Sequence, residues 1–275
     1  MAKITAAEVS KLRKLTGAGM MDCKKALVEA DGDFEKAQKI IRERGQAIAN
    51  KRSDREATEG AVIATTTEDN KFGVVVCLNC ETDFVAKNDD FVSFAHKIAD
   101  IALDKKPENL EALKAIEVED GTLEEMIIRQ SGVTGEKVDL SYYEKLEAPY
   151  VDAYIHMGNK IGTIVATNKA ADSEVVRNVA MQVAAMNPIA VDESRVPQNV
   201  KDKEFEIGRQ QALNEGKPEA ILDKIATGKV NKYMKENTLL NQAFVRDNKV
   251  TIKQYLQQQD KDLTVVEFKR WALAE

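Results

Sequence analysis

At 275 residues, with 43% hydrophobic and 31% charged side chains, the chain carries enough apolar material for more than one packed core. Its net charge of -6 argues against bulk nucleic-acid binding, which depends on lysine and arginine neutralising phosphates, and no apolar run approaches the length that crosses a bilayer. Met1-Ala2-Lys3-Ile4-Thr5 passes directly into an amphipathic pattern without a signal or transit segment, so a cytoplasmic protein is expected.

Thr5 and Glu8 have the spacing of a capping box, and Val9, Leu12 and Leu15 follow at helical intervals. Thr16-Gly17-Ala18-Gly19 breaks this helix, and Met20, Cys23, Ala26 and Leu27 form the stripe of a second. Asp31-Gly32-Asp33 then caps a third helix, carrying Phe34, Ala37, Ile40 and Ile41, which is expected to close at Gly45. A three-helix unit over residues 1–55 follows, with Gln46 to Thr58 read as a charged linker, a continued surface helix being the alternative. Its local excess of lysine and arginine suits a solvated face or an acidic protein partner.

From Gly60 the period changes. Val62 and Ile63, a Glu68-Asp69-Asn70 turn and Phe72 to Asn79 predict a hairpin, followed by a helix from Asn88 and another over Leu110 to Gln130. A second hairpin runs Tyr150 to His156 and Ile161 to Thr167 around Gly158-Asn159. Lys71-Phe72-Gly73-Val74-Val75-Val76 is echoed by Lys160-Ile161-Gly162-Thr163-Ile164-Val165, and the helical stretch Phe91 to Ala99 by Val176 to Ala184. Such self-similarity marks two copies of one supersecondary unit. The expected class is α+β, with core subdomains at 56–140 and at 141–199 plus 237–275. Phe205 to Leu213, a Gly216-Lys217-Pro218 break and Ile221 to Ala226 predict an antiparallel helical hairpin inserted at 200–236. Tyr233 and Met234 near its base read as surface that the core does not need; homodimerisation through the hairpin or a secondary partner contact is the functional expectation, and a fold-stabilising arm is the alternative. Ala243-Phe244-Val245, a Thr251-capped helix and a strand from Leu263 to Trp271 complete the chain.

The two copies differ in one place. The join from Asn79 to Phe91 is longer than that from Asn168 to Val176, and the surplus contains Thr82-Asp83-Phe84-Val85. Strand-to-helix connection does not require it, since the second copy manages without. A phenylalanine, a valine and an acid on a surface connector therefore point to a partner.

Catalytic signatures are weak. Gly17-Ala18-Gly19 with Lys24 and Lys25 lacks the Gly-Lys-Ser/Thr ending of a phosphate loop and follows a helix rather than a strand. Cys77 and Cys80 are formally C-x-x-C, yet an odd offset along a strand puts them on opposite faces. With three cysteines and two histidines in all, a zinc site would recruit ligands from distant segments, so no metal is expected. No Gly-x-Ser-x-Gly elbow occurs, and His156 beside Gly158 reads as turn-adjacent.

Leu15-Thr16-Gly17-Ala18-Gly19-Met20-Met21-Asp22-Cys23-Lys24-Lys25-Ala26-Leu27 and Asn79-Cys80-Glu81-Thr82-Asp83-Phe84-Val85-Ala86-Lys87 resemble the signature segments of the elongation factor Ts family. The likeness extends over the duplicated core, His156 to Gly162, Met186-Asn187-Pro188 and the helical hairpin. It implies a guanine nucleotide exchange factor for the GTPase elongation factor Tu, with a ubiquitin-associated-like N-terminal domain, no cofactor and no active site of its own. By this resemblance Asp83 and Phe84, flanked by Thr82 and Val85, enter the partner near its magnesium and phosphate site. Met20 and Lys24 grip the same partner domain, with Met21, Lys25, His156 and Gly158 as secondary contacts. Two departures stand out: Gln182 replaces a histidine of the family pattern, and the chain stops at Ala272-Leu273-Ala274-Glu275 where the family often continues into a short helical module. A redox enzyme built on Cys77 and Cys80, and an adaptor using the three-helix unit, are the alternatives.

Overall fold

The computed structural model describes residues 4–119 and 121–273; residues 1–3 and 274–275, from which the sequence expectations about the chain's start and end were drawn, lie outside them. The first three helices are α1 (Ala6–Thr16), α2 (Met20–Glu29) and α3 (Phe34–Lys51). Thr5 and Glu8 complete the capping box that starts α1, Gly17 ends it in the left-handed conformation (φ 71°), and the Asp33 carboxylate caps α3. Val9, Leu12, Cys23, Ala26, Leu27 and Ala37 close on one another as a small core.

Helix α3 does not stop at Gly45. It continues to Lys51 because Gly45 is a packing position: it faces Gly132 of α7 (Leu123–Thr134), where a Cβ on Gly132 would lie 2.6 Å from the Gly45 Cα. Two helix backbones touch there, and Gln46 to Lys51 continue the helix, which leaves Arg52 to Thr58 as the connection to the next unit.

That unit begins with β1 (Glu59–Thr66) and β2 (Phe72–Cys80), followed by the short α4 (Asp83–Ala86) and by α5 (Asp89–Lys105), α6 (Leu110–Lys114), β3 (Glu117–Val118), β4 (Gly121–Thr122), α7 and β5 (Asp139–Glu147). The single helix expected over Leu110 to Gln130 is thus two helices separated by a small hairpin. Thr122 and Glu125 form a second capping box that restarts the chain as α7. Then come β6 (Tyr150–His156), β7 (Ile161–Thr167), α8 (Ser173–Met186), the hairpin α9 (Gln198–Asn214) and α10 (Glu219–Asn237), β8 (Ala243–Phe244), β9 (Asp247–Thr251), α11 (Ile252–Gln259) and β10 (Val265–Ala272).

Strand and helix content make the chain α+β, and the repeat is visible in topology. One antiparallel sheet has the order β1-β2-β5 and the other β6-β7-β10, so in each the hairpin's second strand is central and the third strand returns after the helix. Each sheet buries one face under its own helix: Phe94, Ile98 and Ala102 of α5 lie over Val74, Val76 and Leu78, and Val176, Val179 and Val183 of α8 over Val165. The opposite faces meet each other through Val62, Ala64, Val75 and Cys77 on one side and Val151, Ile164 and Ala166 on the other. A Cβ on Gly73 would lie 2.8 Å from Val151 Cγ1, and one on Gly162 2.7 Å from Val62 Cγ1. Gly73 and Gly162 are equivalent positions of the repeat, as are Val62 and Val151, so the contact is reciprocal. Cys77 faces this inter-sheet layer while Cys80 faces the α5 side, and both thiols are free.

In the helical hairpin Gly208, Ala212, Leu222 and Ala226 form the buried seam. Met234 was expected to offer free surface at its base; instead it is buried with Ala190 and Val196, and the Ile189 N–H donates to the Asn237 carbonyl at 2.9 Å. The hairpin's foot is part of the core.

Candidate partner-binding knob

Strand β2 is buried along its whole length, and its end delivers the chain into α4, a single helical turn. Thr82 is its N-cap: the backbone is extended (φ -125°, ψ 154°) and the hydroxyl accepts from the Val85 N–H at 3.4 Å. Val85 and Ala86 turn inward against the α5 core. Phe84 is directed the other way and is 83% exposed, the largest exposure of any large hydrophobic side chain among the described residues. Beside it Lys87 Nζ donates to Asp83 Oδ2 at 2.6 Å, which holds the Asp83 carboxyl below its usual range and raises the Lys87 ammonium. Asn88 then caps α5, accepting from the Asp90 N–H at 2.9 Å. The projection is an apolar ring flanked by one acid–base pair.

The base of this knob is clasped by two carboxylates. Glu136, in the loop between α7 and β5, accepts the N–H groups of Glu81 and Thr82 on Oε2 at 3.0 Å each and the Thr82 hydroxyl on Oε1 at 2.6 Å. In return the Glu81 carboxylate accepts the Lys137 N–H at 2.6 Å, Arg52 Nη1 at 2.7 and 2.8 Å and Arg55 Nη1 at 2.9 Å. Lys137 Nζ reaches the carbonyls of Ser53 and Arg55 at 2.7 and 3.0 Å. Burial would raise the Glu81 carboxyl, but the Lys137 N–H and the two guanidinium groups outweigh it and bring it down to about 2. The end of α3, the loop before β5 and the knob are thereby joined in one network. None of Glu81, Glu136, Arg52, Arg55 or Lys137 was singled out from the sequence, because their pairing spans more than fifty residues for Glu81 with Lys137. The only local signal is an acid placed immediately before an N-cap threonine.

Of the other sequence candidates, Met20, Met21, Lys24 and Lys25 lie exposed on α2, where Met21, Lys24, Lys25, Val28, Glu29 and Arg44 line a shallow depression. This surface is separate from the knob; α2 packs on α1 and α3, and α4 packs on β1, β2 and α5. His156 and Gly158 are exposed in the β6–β7 turn, with the Tyr154 hydroxyl 3.0 Å from His156 Nδ1. Lys160 at the end of that turn pairs with Glu59 at 3.6 Å and its charge also favours ionised Asp83, which places the turn beside the knob. Gln182 is fully buried: its amide donates to Gln242 Oε1 and the Ala243 carbonyl and accepts the Val245 N–H, so it braces the segment before β9.

Burial pushes the Cys77 and Cys80 thiols up to about 11 and about 12, the reverse of an activated redox pair. Among the described residues no cluster of metal-ligating side chains occurs, and no helix is long and apolar enough to cross a membrane.

Residues 81–275, from the clasped knob to the end of the chain, match the family model described as Elongation factor TS. A curated Elongation factor Ts from Christiangramia forsetii is 53% identical over 278 residues, covering 99% of this chain and 100% of the relative. The chain belongs to the elongation factor Ts family. Family members from Porphyromonas gingivalis (51% identical, 98% of each chain) and Flavobacterium psychrophilum (50% identical, 99% of this chain and 100% of the relative) match over the same extent. Membership makes the protein a factor of translation elongation, and it extends over both the three-helix unit and the helical hairpin.

Proposed function

We propose that the chain is the guanine nucleotide exchange factor of elongation factor Tu, that it acts in the cytoplasm without an active site of its own, and that the α4 knob is what displaces GDP. The observation that carries this reading is Phe84, 83% exposed on a turn whose base is held by a partly buried ionic clasp. A large apolar side chain kept in water by a rigid mount is stabilised on entering a partner. Asp83 beside it brings a negative charge to a site where phosphate and magnesium are held, and disturbs both.

Energetics demand more than the ring. Exchange is a coupling between two binding events, so whatever loosens GDP on the partner is loosened by GDP in return. Ten-thousand-fold faster release corresponds to about 5.5 kcal/mol off the dissociation barrier, whereas burying one phenylalanine contributes about 1.5–3 kcal/mol. The remainder comes from the lost phosphate and magnesium contacts, with binding elsewhere holding the knob in place. The exposed Met20, Met21, Lys24 and Lys25 of a ubiquitin-associated-like domain supply the grip, and the turn at His156 and Gly158 completes the surface around the knob.

Stopped-flow release of a fluorescent GDP from elongation factor Tu, with and without this protein, is the test. Stimulated release at catalytic concentrations supports the assignment. Stable association without stimulation would make the chain an adaptor and overturn it.

A further inference from the structure

We infer that Glu136 is a positioning residue for exchange: its carboxylate fixes the direction in which the knob presents Phe84. The inference rests on the reading of the knob given above and adds to it a residue outside both the signature segments and the projecting turn.

A four-residue helix does not hold itself together, since nucleation fixes several backbone angles for a single hydrogen bond. Helix α4 must therefore be held from outside. Its inward side has the packing of Val85 and Ala86, which fixes how deep the turn sits but leaves the entry angle of the chain to its first residues. There Glu136 accepts three hydrogen bonds from two consecutive residues, both N–H groups on one oxygen and the Thr82 hydroxyl on the other. Bonds to an ionised acceptor are the stronger kind. The third also sets the cap: with its proton committed to Glu136, the Thr82 oxygen has a lone pair directed at the Val85 N–H.

Glu136 is itself held in place. Its N–H donates to Thr134 Oγ1 at 3.2 Å, the next N–H to Glu81 Oε1 at 2.6 Å and that of Val138 to Ser131 Oγ at 3.0 Å. The loop is thus tied to α7 on one side and to Glu81 on the other, and α7 carries the glycine contact with α3. Removing the Glu136 carboxylate leaves the sheet, α5 and the Glu81 ion pairs in place, and releases the turn.

The test compares Glu136→Ala, Glu136→Gln and Phe84→Ala in GDP release from elongation factor Tu, with melting curves and amide hydrogen exchange of the free chain. Glu136→Ala is expected to lower the maximal release rate about tenfold or more, with little change in the half-saturating concentration or melting temperature and faster amide exchange at Glu81 and Thr82. Glutamine can keep the ring of bonds, its oxygen accepting both N–H groups and its amide donating to the Thr82 oxygen, so Glu136→Gln should recover most of the rate. A parental rate in Glu136→Ala alongside a slow Phe84→Ala overturns the inference while leaving the knob intact. A parental rate in Phe84→Ala removes the knob reading, and the inference with it. If Glu136→Ala fails to fold, Glu136→Leu, which keeps the side chain's bulk but accepts no hydrogen bond, takes its place, and a parental rate there overturns the inference equally.

Discussion

The two strand-to-helix joins are the same piece of architecture put to different ends. Each leaves the central strand of a sheet, each ends in a side-chain cap, Asn88 or Asp172, and each is clasped by the loop that precedes the third strand of its sheet. In the second copy Asn168 exchanges hydrogen bonds with Asp262 and Thr264, Lys169 pairs with Asp260 at 2.7 Å, and Ala171 lies against the core. In the first copy the clasp is Glu136 with Glu81, and between clasp and cap the chain makes an extra turn that carries Phe84 into solvent. Both joins keep the clasp. The projection is an addition to the first, and its cost is a ring left 83% exposed.

That contrast is most directly broken at the ring. Phe84→Ala should slow stimulated GDP release by about ten- to hundredfold, the range equivalent to burying one phenylalanine, with an unchanged melting curve by circular dichroism. A mutant that unfolds would mean that the first join is packed like the second, and one that exchanges normally would empty the projection of function.

The symmetry between the copies can be sharpened at their glycines. Gly73→Ala and Gly162→Ala should each destabilise by about 1–3 kcal/mol, the usual cost of overpacking a close contact, and by similar amounts because each meets the equivalent valine of the other sheet. Chemical denaturation measures both; a large effect at one and none at the other would show that the inter-sheet contact is not reciprocal.

The clasps should respond differently to acid. Glu81 is held at about 2 in the fold against an unfolded carboxyl near 4.3, so its stabilisation is complete above the unfolded value and is lost as pH falls towards 2. Glu81→Gln should therefore lower stability at pH 7 and flatten the decline between about pH 4 and 2. Lys169→Ala in the second clasp, where the pair is partly exposed, should cost less than about 1 kcal/mol. Equal effects would make the clasps equivalent in strength as well as position.

Smallest of all should be the effect of Cys77→Ser with Cys80→Ser on exchange. Raised thiols on opposite faces of β2 take no part in it, though the buried hydroxyls need hydrogen bonds and should lower the melting temperature. Lost exchange at unchanged stability would revive redox chemistry.

Periodicity exposed both hairpins, both repeat helices and the capped three-helix unit, because each shows its apolar stripe within one segment. Strand β5 escaped. Leu140 and Tyr143 face the α5 core and Tyr142 and Leu146 the inter-sheet layer, a pattern with no single period because a bulge opposite Cys77 and Leu78 switches the faces midway. Gly45 was misread as a helix end because a glycine in a helix looks the same from sequence whether it terminates or touches another backbone. At the candidate site the exposure of Phe84 was legible from the repeat, but Val85, expected to face a partner with it, packs on the α5 core, and the mounting of the turn was not legible. Glu81, Glu136 and Arg52 are ordinary surface charges until the fold brings them together. A cut after residue 55 would separate Arg52 and Arg55 from the rest of the chain and leave Glu81 without either guanidinium, so Lys24→Ala isolates the contribution of α2 more cleanly than truncation does.

The reciprocal glycines also bear on how such a chain can change over time. Gly73 is confined by Val151, and Gly162 by Val62, so each half holds the template against which one residue of the other is tested. A side chain gained at Gly73 meets Val151 first, and one gained at Gly162 meets Val62 first, so a smaller residue at either valine lowers the cost of growth at the glycine it faces. The joins carry no such cross-sheet constraint, and a longer connector there disturbs no partner across the interface.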